Sequence, residues 1–110
     1  MAIFKSLPSV RIINGHEITT SDSVIVSNSE YTTNGEYCIV VKSVDYCVIH
    51  LNSETTDHVV IKALTNVLVK TSELIDDEYE EVELSKGSCV EFKKIGSNWY
   101  ILSSDGMKNS

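Results

Sequence analysis

Half of the chain's 16 acidic residues lie between positions 73 and 91: Glu73, Asp76, Asp77, Glu78, Glu80, Glu81, Glu83 and Glu91. Carboxylates at this density suggest two chemistries, a hard-cation site or acid/base work on a sugar. A calcium loop spaces its oxygens as D-x-[DN]-x-[DN]-G, and "ELIDDEYEEVEL" does not. Carboxylate pairs can be drawn anywhere among so many acids, so no pair is singled out. We read residues 76–83 as a solvated, self-repelling loop that aids solubility and blocks edge pairing. Its one functional use would be contact with a basic partner surface.

The other chemistry-bearing residues are sparser. His16, His50 and His58 never stand at the i, i+2 or i, i+4 spacing that puts two ligands on one element. His50 and His58 could meet across a hairpin, but a third ligand is missing, so no metal is expected. Cys38, Cys47 and Cys89 form no CxxC pair and lie in apolar β-type runs, where they read as small buried hydrophobes. No G-x-S-x-G and no Gly-rich phosphate loop is present. The chain is therefore expected to be neither an enzyme nor a cofactor binder.

The single tryptophan, Trp99, precedes Tyr100 straight after "GSN". Alternation along a strand turns the two rings to opposite sides. Trp99 is expected to pack against Val90 and Phe92 of the preceding strand, and Tyr100 to be free for a partner.

The elements that would position these residues have a period close to two. "SVRIINGHEIT" reads as two short strands about Asn14-Gly15, the strongest short hairpin signal. "SVIVS" follows, and a second Asn-Gly stands at Asn34-Gly35. Beyond it Tyr37, Ile39 and Val41 alternate with Cys38, Val40 and Lys42, with both faces largely apolar, so this strand is expected to be central. In "YCVIHLN", Tyr46, Val48 and His50 face one way and Cys47, Ile49 and Leu51 the other. "HVVIKAL", "VLVKTSELI" and "VEL" come next, and "CVEFKKI" with "WYILSS" makes a closing hairpin. "TSELIDDEYEEVELS" reads as strand, acidic loop, strand rather than helix, because Val82 and Leu84 alternate with Glu81 and Glu83. Nine or ten strands with turn signals near every ten residues predict an all-β fold, a compact antiparallel β-sandwich or barrel-like domain of short strands and hairpins. We divide the chain into an N-terminal arm (1–9), a β domain (10–106) and a C-terminal tail (107–110).

A length of 110 residues suits one domain, and 42 % apolar with 23 % charged residues is an ordinary globular composition. The formal charge of −7, one arginine (Arg11) and one adjacent basic pair (Lys93-Lys94) argue against nucleic acid as a partner. No apolar run has membrane-helix or signal-peptide length, so synthesis in a cytoplasm and no membrane partner are expected. β-branched residues are dense and Pro8 is the only proline, which leaves an edge strand little to blunt it. Self-association that covers edges is the physical expectation. In the arm, Ile3, Phe4 and Leu7 are apolar and suit packing on a neighbouring subunit.

The second part of the chain carries a recognisable series: "VIHLNSETTD", "HVVIKAL", "VLVK", "LIDDEYEEVEL" and "KGSCVEFKKIGSNWYILSSDG". It resembles the small β modules of bacteriophage virion proteins, those of tail fibres and of head or tail decoration proteins. In these a glycine precedes a strand, a short turn follows, and the next strand opens on a tryptophan. The matching positions are Gly87, Gly96, Trp99, Tyr100 and Ile101, and the resemblance spans residues 44 to 106. It implies a homotrimer with no catalytic residues, found in the virion. The chain is short, without sequence repeats or heptads, unlike a fibre shaft. The resemblance therefore points to a capsid-decorating (cement) or head/tail surface protein, with capsid or tail proteins as partners. The alternative is a receptor-binding or adaptor module of a tail fibre that recognises a host glycan or protein. The expected partner-binding residues are Ile3, Phe4, Leu7 and Tyr100.

Overall fold

The computed structural model describes residues 23–43 and 45–105, together with the backbone of the strands Arg11–Ile13 (β1) and His16–Ile18 (β2). β1 and β2 pair antiparallel on either side of Asn14-Gly15, with Ile13 opposite His16, as that dipeptide predicts. The arm 1–9 and the tail 107–110 lie outside the described residues.

Nine further strands follow: β3 (Ser23–Val26), β4 (Glu30–Thr32), β5 (Cys38–Val41), β6 (Tyr46–His50), β7 (His58–Ala63), β8 (Asn66–Ile75), β9 (Tyr79–Leu84), β10 (Cys89–Ile95) and β11 (Asn98–Asp105). The described residues include no helix, and so none able to cross a membrane. The all-β expectation holds.

The sandwich or barrel does not. β5 pairs in parallel with β3 and with β7, and β6 in parallel with β4 and with β8. The chain visits two stacks alternately, so each strand lies beside the strand two elements away. This is a solenoid-like coil of three turns, β3–β4, β5–β6 and β7–β8. β5 is central, as its two apolar faces predict. The turns coincide with no sequence repeat because their corners differ in length.

Parallel register stacks like on like inside the coil. Val24, Ile39, Ile61 and Val90 form one inward row, and Val26, Val41 and Ala63 another. On the second stack the rows are Cys47, Val67 and Leu84, then Tyr31, Ile49, Val69 and Val82. β-branched side chains pack well on such pleated, stacked surfaces. The ladder also runs on through the corners. Lys42 N donates to Val26 O (2.8 Å), Leu64 N to Val41 O (2.9 Å), Thr33 N to His50 O (3.0 Å) and Leu51 N to Lys70 O (2.8 Å).

After β8 the coil stops. β9 turns back antiparallel on β8, β10 lies antiparallel on β7, and β11 antiparallel on β10. β11 touches β8 in parallel through Trp99 and Ile75, which joins the two stacks. The turn from β8 to β9 is tight: Glu78 N donates to Ile75 O (3.1 Å), and both central residues are left-handed, Asp76 at φ 55° and Asp77 at φ 62°. Tight hairpin turns favour this hand, and Asp tolerates it better than most non-glycine residues. The "acidic loop" is thus a three-residue connection, Asp76 to Glu78, followed by a strand, since Ile75 pairs with Tyr79 and Tyr79–Leu84 is β9. Gly96 at φ 69° serves the turn from β10 to β11, where a side chain would strain the backbone.

Inward and outward positions should differ sharply in a coil of this kind. Ile61→Ala empties a fully buried place in the middle turn and is expected to cost about 2–5 kcal/mol. Val60→Ala, one residue away but facing out, is expected to cost under about 1 kcal/mol. Urea unfolding of the two variants checks this; equal losses would contradict the assigned faces.

Candidate functional site

The corners carry the polar side chains that the coil brings together. Thr33, after β4, is buried. Its hydroxyl accepts from Asn52 N (2.8 Å), and its carbonyl accepts from the Thr55 hydroxyl (3.1 Å). Gly35 N donates to the Thr56 hydroxyl (2.8 Å), so one corner is tied to the next. Glu36 is buried too; its carboxylate accepts from Asn34 N (2.7 Å) and from the Tyr31 hydroxyl. Burial, helped by the Glu36 bond and charge, pushes the Tyr31 phenol up to about 12.

One turn further on, Glu73 holds the end of β8. Its Oε1 accepts from the Thr71 hydroxyl (2.7 Å) and from Trp99 Nε1 (3.2 Å). Its Oε2 accepts from the hydroxyls of Ser53 (3.0 Å) and Ser72 (3.3 Å). The Thr71 bond, aided by those from Ser53, Trp99 and Ser72 and opposed by burial, holds this carboxyl below its ordinary range. Trp99 itself is fully buried. Register sets it opposite Lys94, which makes Phe92 its diagonal neighbour on the same inward face; Trp99, Phe92 and Val90 share one buried core, in line with the expected packing, where β11 meets the end of β8. No buried side-chain nitrogen or oxygen among the described residues lacks a partner.

The two described histidines stand on different stacks, so they do not meet. His50 Nε2 lies 2.6 Å from Glu30 Oε2, and His58 Nε2 lies 2.5 Å from Glu91 Oε2. The bond from His58 is the largest cause of a lowered Glu91 carboxyl. Ser103 donates to the other Glu91 oxygen (3.0 Å). This brings Ser, Glu and His together in the wrong order for catalysis. The carboxylate lies between serine and imidazole, so the imidazole cannot take the hydroxyl proton. No group of three or more metal-ligating side chains converges among the described residues. The cysteines divide: Cys47 is buried in the core, while Cys38 and Cys89 are half-buried and face outward. Burial raises the Cys38 thiol, with a smaller contribution from Cys89.

The acidic residues scatter once folded. Asp76 Oδ1 caps Ile101 N (3.0 Å). Asp77 Oδ1 accepts from the Tyr100 hydroxyl (2.7 Å) and from Asn98 Nδ2 (3.3 Å). Glu78, Glu80, Glu81 and Glu83 remain exposed. Tyr100, expected as a partner contact, is half-buried and tied to Asp77, whose bond is the largest cause of its raised phenol. Ile3, Phe4 and Leu7 lie outside the described residues.

A shallow, open cleft lies beside this network, on the outer side of β6 and β8. It measures about 450 Å³ and is lined by Thr32, His50, Leu51, Asn52, Lys70, Thr71 and Ser72. Thr32, His50 and Lys70 come from three successive turns in register. The Lys70 ammonium is held only loosely, 3.9 Å from Glu81. The cleft therefore offers a cation, hydroxyls and an amide, the donor and acceptor mixture that a sugar ring meets. Sequence reasoning missed Thr32, Asn52, Lys70, Thr71 and Ser72, because only turn-on-turn stacking brings them together. Compared with family models, curated proteins and solved structures, the chain matches none.

Glu73 gives this region a pH signature. Its folded carboxyl is lowered, so its contribution is complete above the ordinary glutamate range, near ~4.3, and is lost as pH falls through the folded value. Glu73→Gln is expected to cost about 1–2 kcal/mol at pH 7. The gap to the native chain should shrink as the pH drops from about 5 to 3. Thermal unfolding against pH checks it; a constant gap would contradict the role.

Proposed function

We propose that this chain is a bacteriophage virion structural protein, a homotrimeric module that attaches to the assembled capsid or tail surface. The observation that carries this reading is the asymmetry of the coil. At its C-terminal end the parallel pairing gives way to the antiparallel strands β9, β10 and β11, while at the other end the parallel strands β3 and β4 have, among the described residues, a strand on one side only. Coiled repeat architectures need their ends covered, and an open edge is a template for pairing. A coil whose parallel pairing is turned back at one end and open at β3 and β4 among the described residues suits attachment to a larger particle. The resemblance of residues 44–106 to virion β modules supports the same reading. A protein that binds only the assembled shell stabilises that shell by mass action. The polar network of the corners serves folding, and the Ser103–Glu91–His58 order gives no activated nucleophile.

The cleft at Thr32, His50 and Lys70 favours a second reading, a module that recognises a host glycan. Its mixture of donors and acceptors suits sugar hydroxyls, although the buried Trp99 offers no stacking surface there. Binding to a glycan array that is lost in Lys70→Ala would favour this reading over the first.

Mass spectrometry of purified particles tests the leading proposal. The protein is expected at a fixed copy number per particle, with added pure protein restoring heat resistance to particles made without it. Particles lacking the protein altogether would overturn the proposal.

A further inference from the structure

The two outer faces of the coil differ in chemistry, and register makes the comparison direct. On the second stack the outward rows are Glu30, Val48, Leu68 and Glu83, then Thr32, His50, Lys70 and Glu81. This is an ordinary wet face. On the first stack the outward rows are Ser23, Cys38, Val60 and Glu91, then Ile25, Val40, Lys62 and Cys89. Five of these eight side chains are apolar or thiol, and Ile25 is 63 % exposed. The one acid, Glu91, is already engaged by His58 and Ser103. Tyr37, 47 % exposed and set edge-on to His58, extends the patch.

We infer that this outer face of β3, β5, β7 and β10 is where copies of this chain pack on one another, an inference that rests on the homotrimer reading above. Charge selects the occupant. In a chain of formal charge −7, association must keep acidic surfaces apart. The exposed carboxylates Glu30, Glu81 and Glu83 lie on the other face, and Glu78 and Glu80 at the β8–β9 hairpin. A basic partner would be drawn there, and a polyanion would find Lys62 the one lysine without an ion pair among the outward strand positions of this face, since Lys93, beside His58, lies 3.6 Å from Asp57. A second copy meets neither obstacle. It also brings a matching charge. Lys62 Nζ donates to the carbonyl of Gly87 (3.3 Å), and neither it nor Asp105, on β11 beside Cys89, has an ion-pair partner among the described residues. Lys62 of one copy can therefore meet Asp105 of another at the border of the patch.

The size of the patch sets the strength. Four strands spaced ~4.8 Å apart and about four residues long cover roughly 250 Å². A standard interface takes about 800 Å² from each partner. Contact confined to the patch is therefore weak, and assembly should depend on concentration.

Light scattering of the full chain across concentrations, with thiol alkylation in parallel, tests the inference. The native chain is expected to exceed the 12.2 kDa of one copy as concentration rises, while alkylation of Cys38 and Cys89 slows several-fold. Ile25→Asp, at an exposed position, is expected to keep the far-UV circular dichroism of the native chain, stay at one copy and leave both thiols reactive. A native chain that stays single at all concentrations would overturn the inference, as would an Ile25→Asp chain that assembles like the native one. Thiols protected only when particles are added would assign the face to a different protein and overturn it too. Particle composition decides the virion reading separately, so the two can fail independently.

Discussion

Parallel stacking commits each turn of this chain to the turn beside it. In an antiparallel hairpin a strand finds its partner next in sequence. Here a strand finds its partner only after the chain has crossed to the other stack and returned. Every backbone group of β5 and β6 must then be met by turns on both sides, and every inward side chain must fit a row. The rows Val24–Ile39–Ile61–Val90 and Cys47–Val67–Leu84 meet that demand with side chains of similar size. Because the constraint is passed from turn to turn, the difficult places are the corners and the ends.

The corners meet it with hydroxyls and carboxylates in place of apolar packing. Thr33, Thr56 and Glu36 are buried polar groups, which would be costly if unpaired, and each has its partner. Glu73 does the same where the coil ends. It links the β6–β7 corner through Ser53, its own strand through Thr71 and Ser72, and the closing hairpin through Trp99 Nε1. Trp99 thus fills the junction of the two stacks with its ring and fastens it with its nitrogen. The sequence points to a packed ring, and the fold uses it as a closure.

Much of the local structure was legible in the sequence. Period-two runs located β5, β6, β7, β8, β10 and β11, and the alternation of Val82 and Leu84 with Glu81 and Glu83 correctly favoured a strand over a helix. The coil was not legible, because in-out alternation is the same for a strand in a sandwich and a strand in a solenoid. A short polar corner such as Thr33–Tyr37 has the composition of a hairpin turn, and its Asn34-Gly35 gives the hairpin signal while joining strands of different stacks. Corners of unequal length hid the repeat. The cleft was invisible for the same reason: Thr32, His50 and Lys70 are neighbours only through the stacking. The acids misled by their density, since Glu73, Asp76, Asp77 and Glu91 are each bound to named donors and only the remainder form a solvated face.

The functional reading follows from where the constraint is left open. Among the described residues β3 and β4 have a strand on one side only, and the outer side of β3 and β5 is apolar, while at the opposite end antiparallel strands turn the pairing back. That edge and that side are the surfaces the proposed attachment and association would use. All of this depends on strand pairing, which nuclear Overhauser contacts between backbone protons report directly. The account predicts contacts between Ile39 and Ile61 and between Ile49 and Val69, in the parallel pattern, with none between residues 38–41 and 46–50. Close Hα–Hα contacts joining 38–41 to 46–50, as in an antiparallel hairpin, would contradict it.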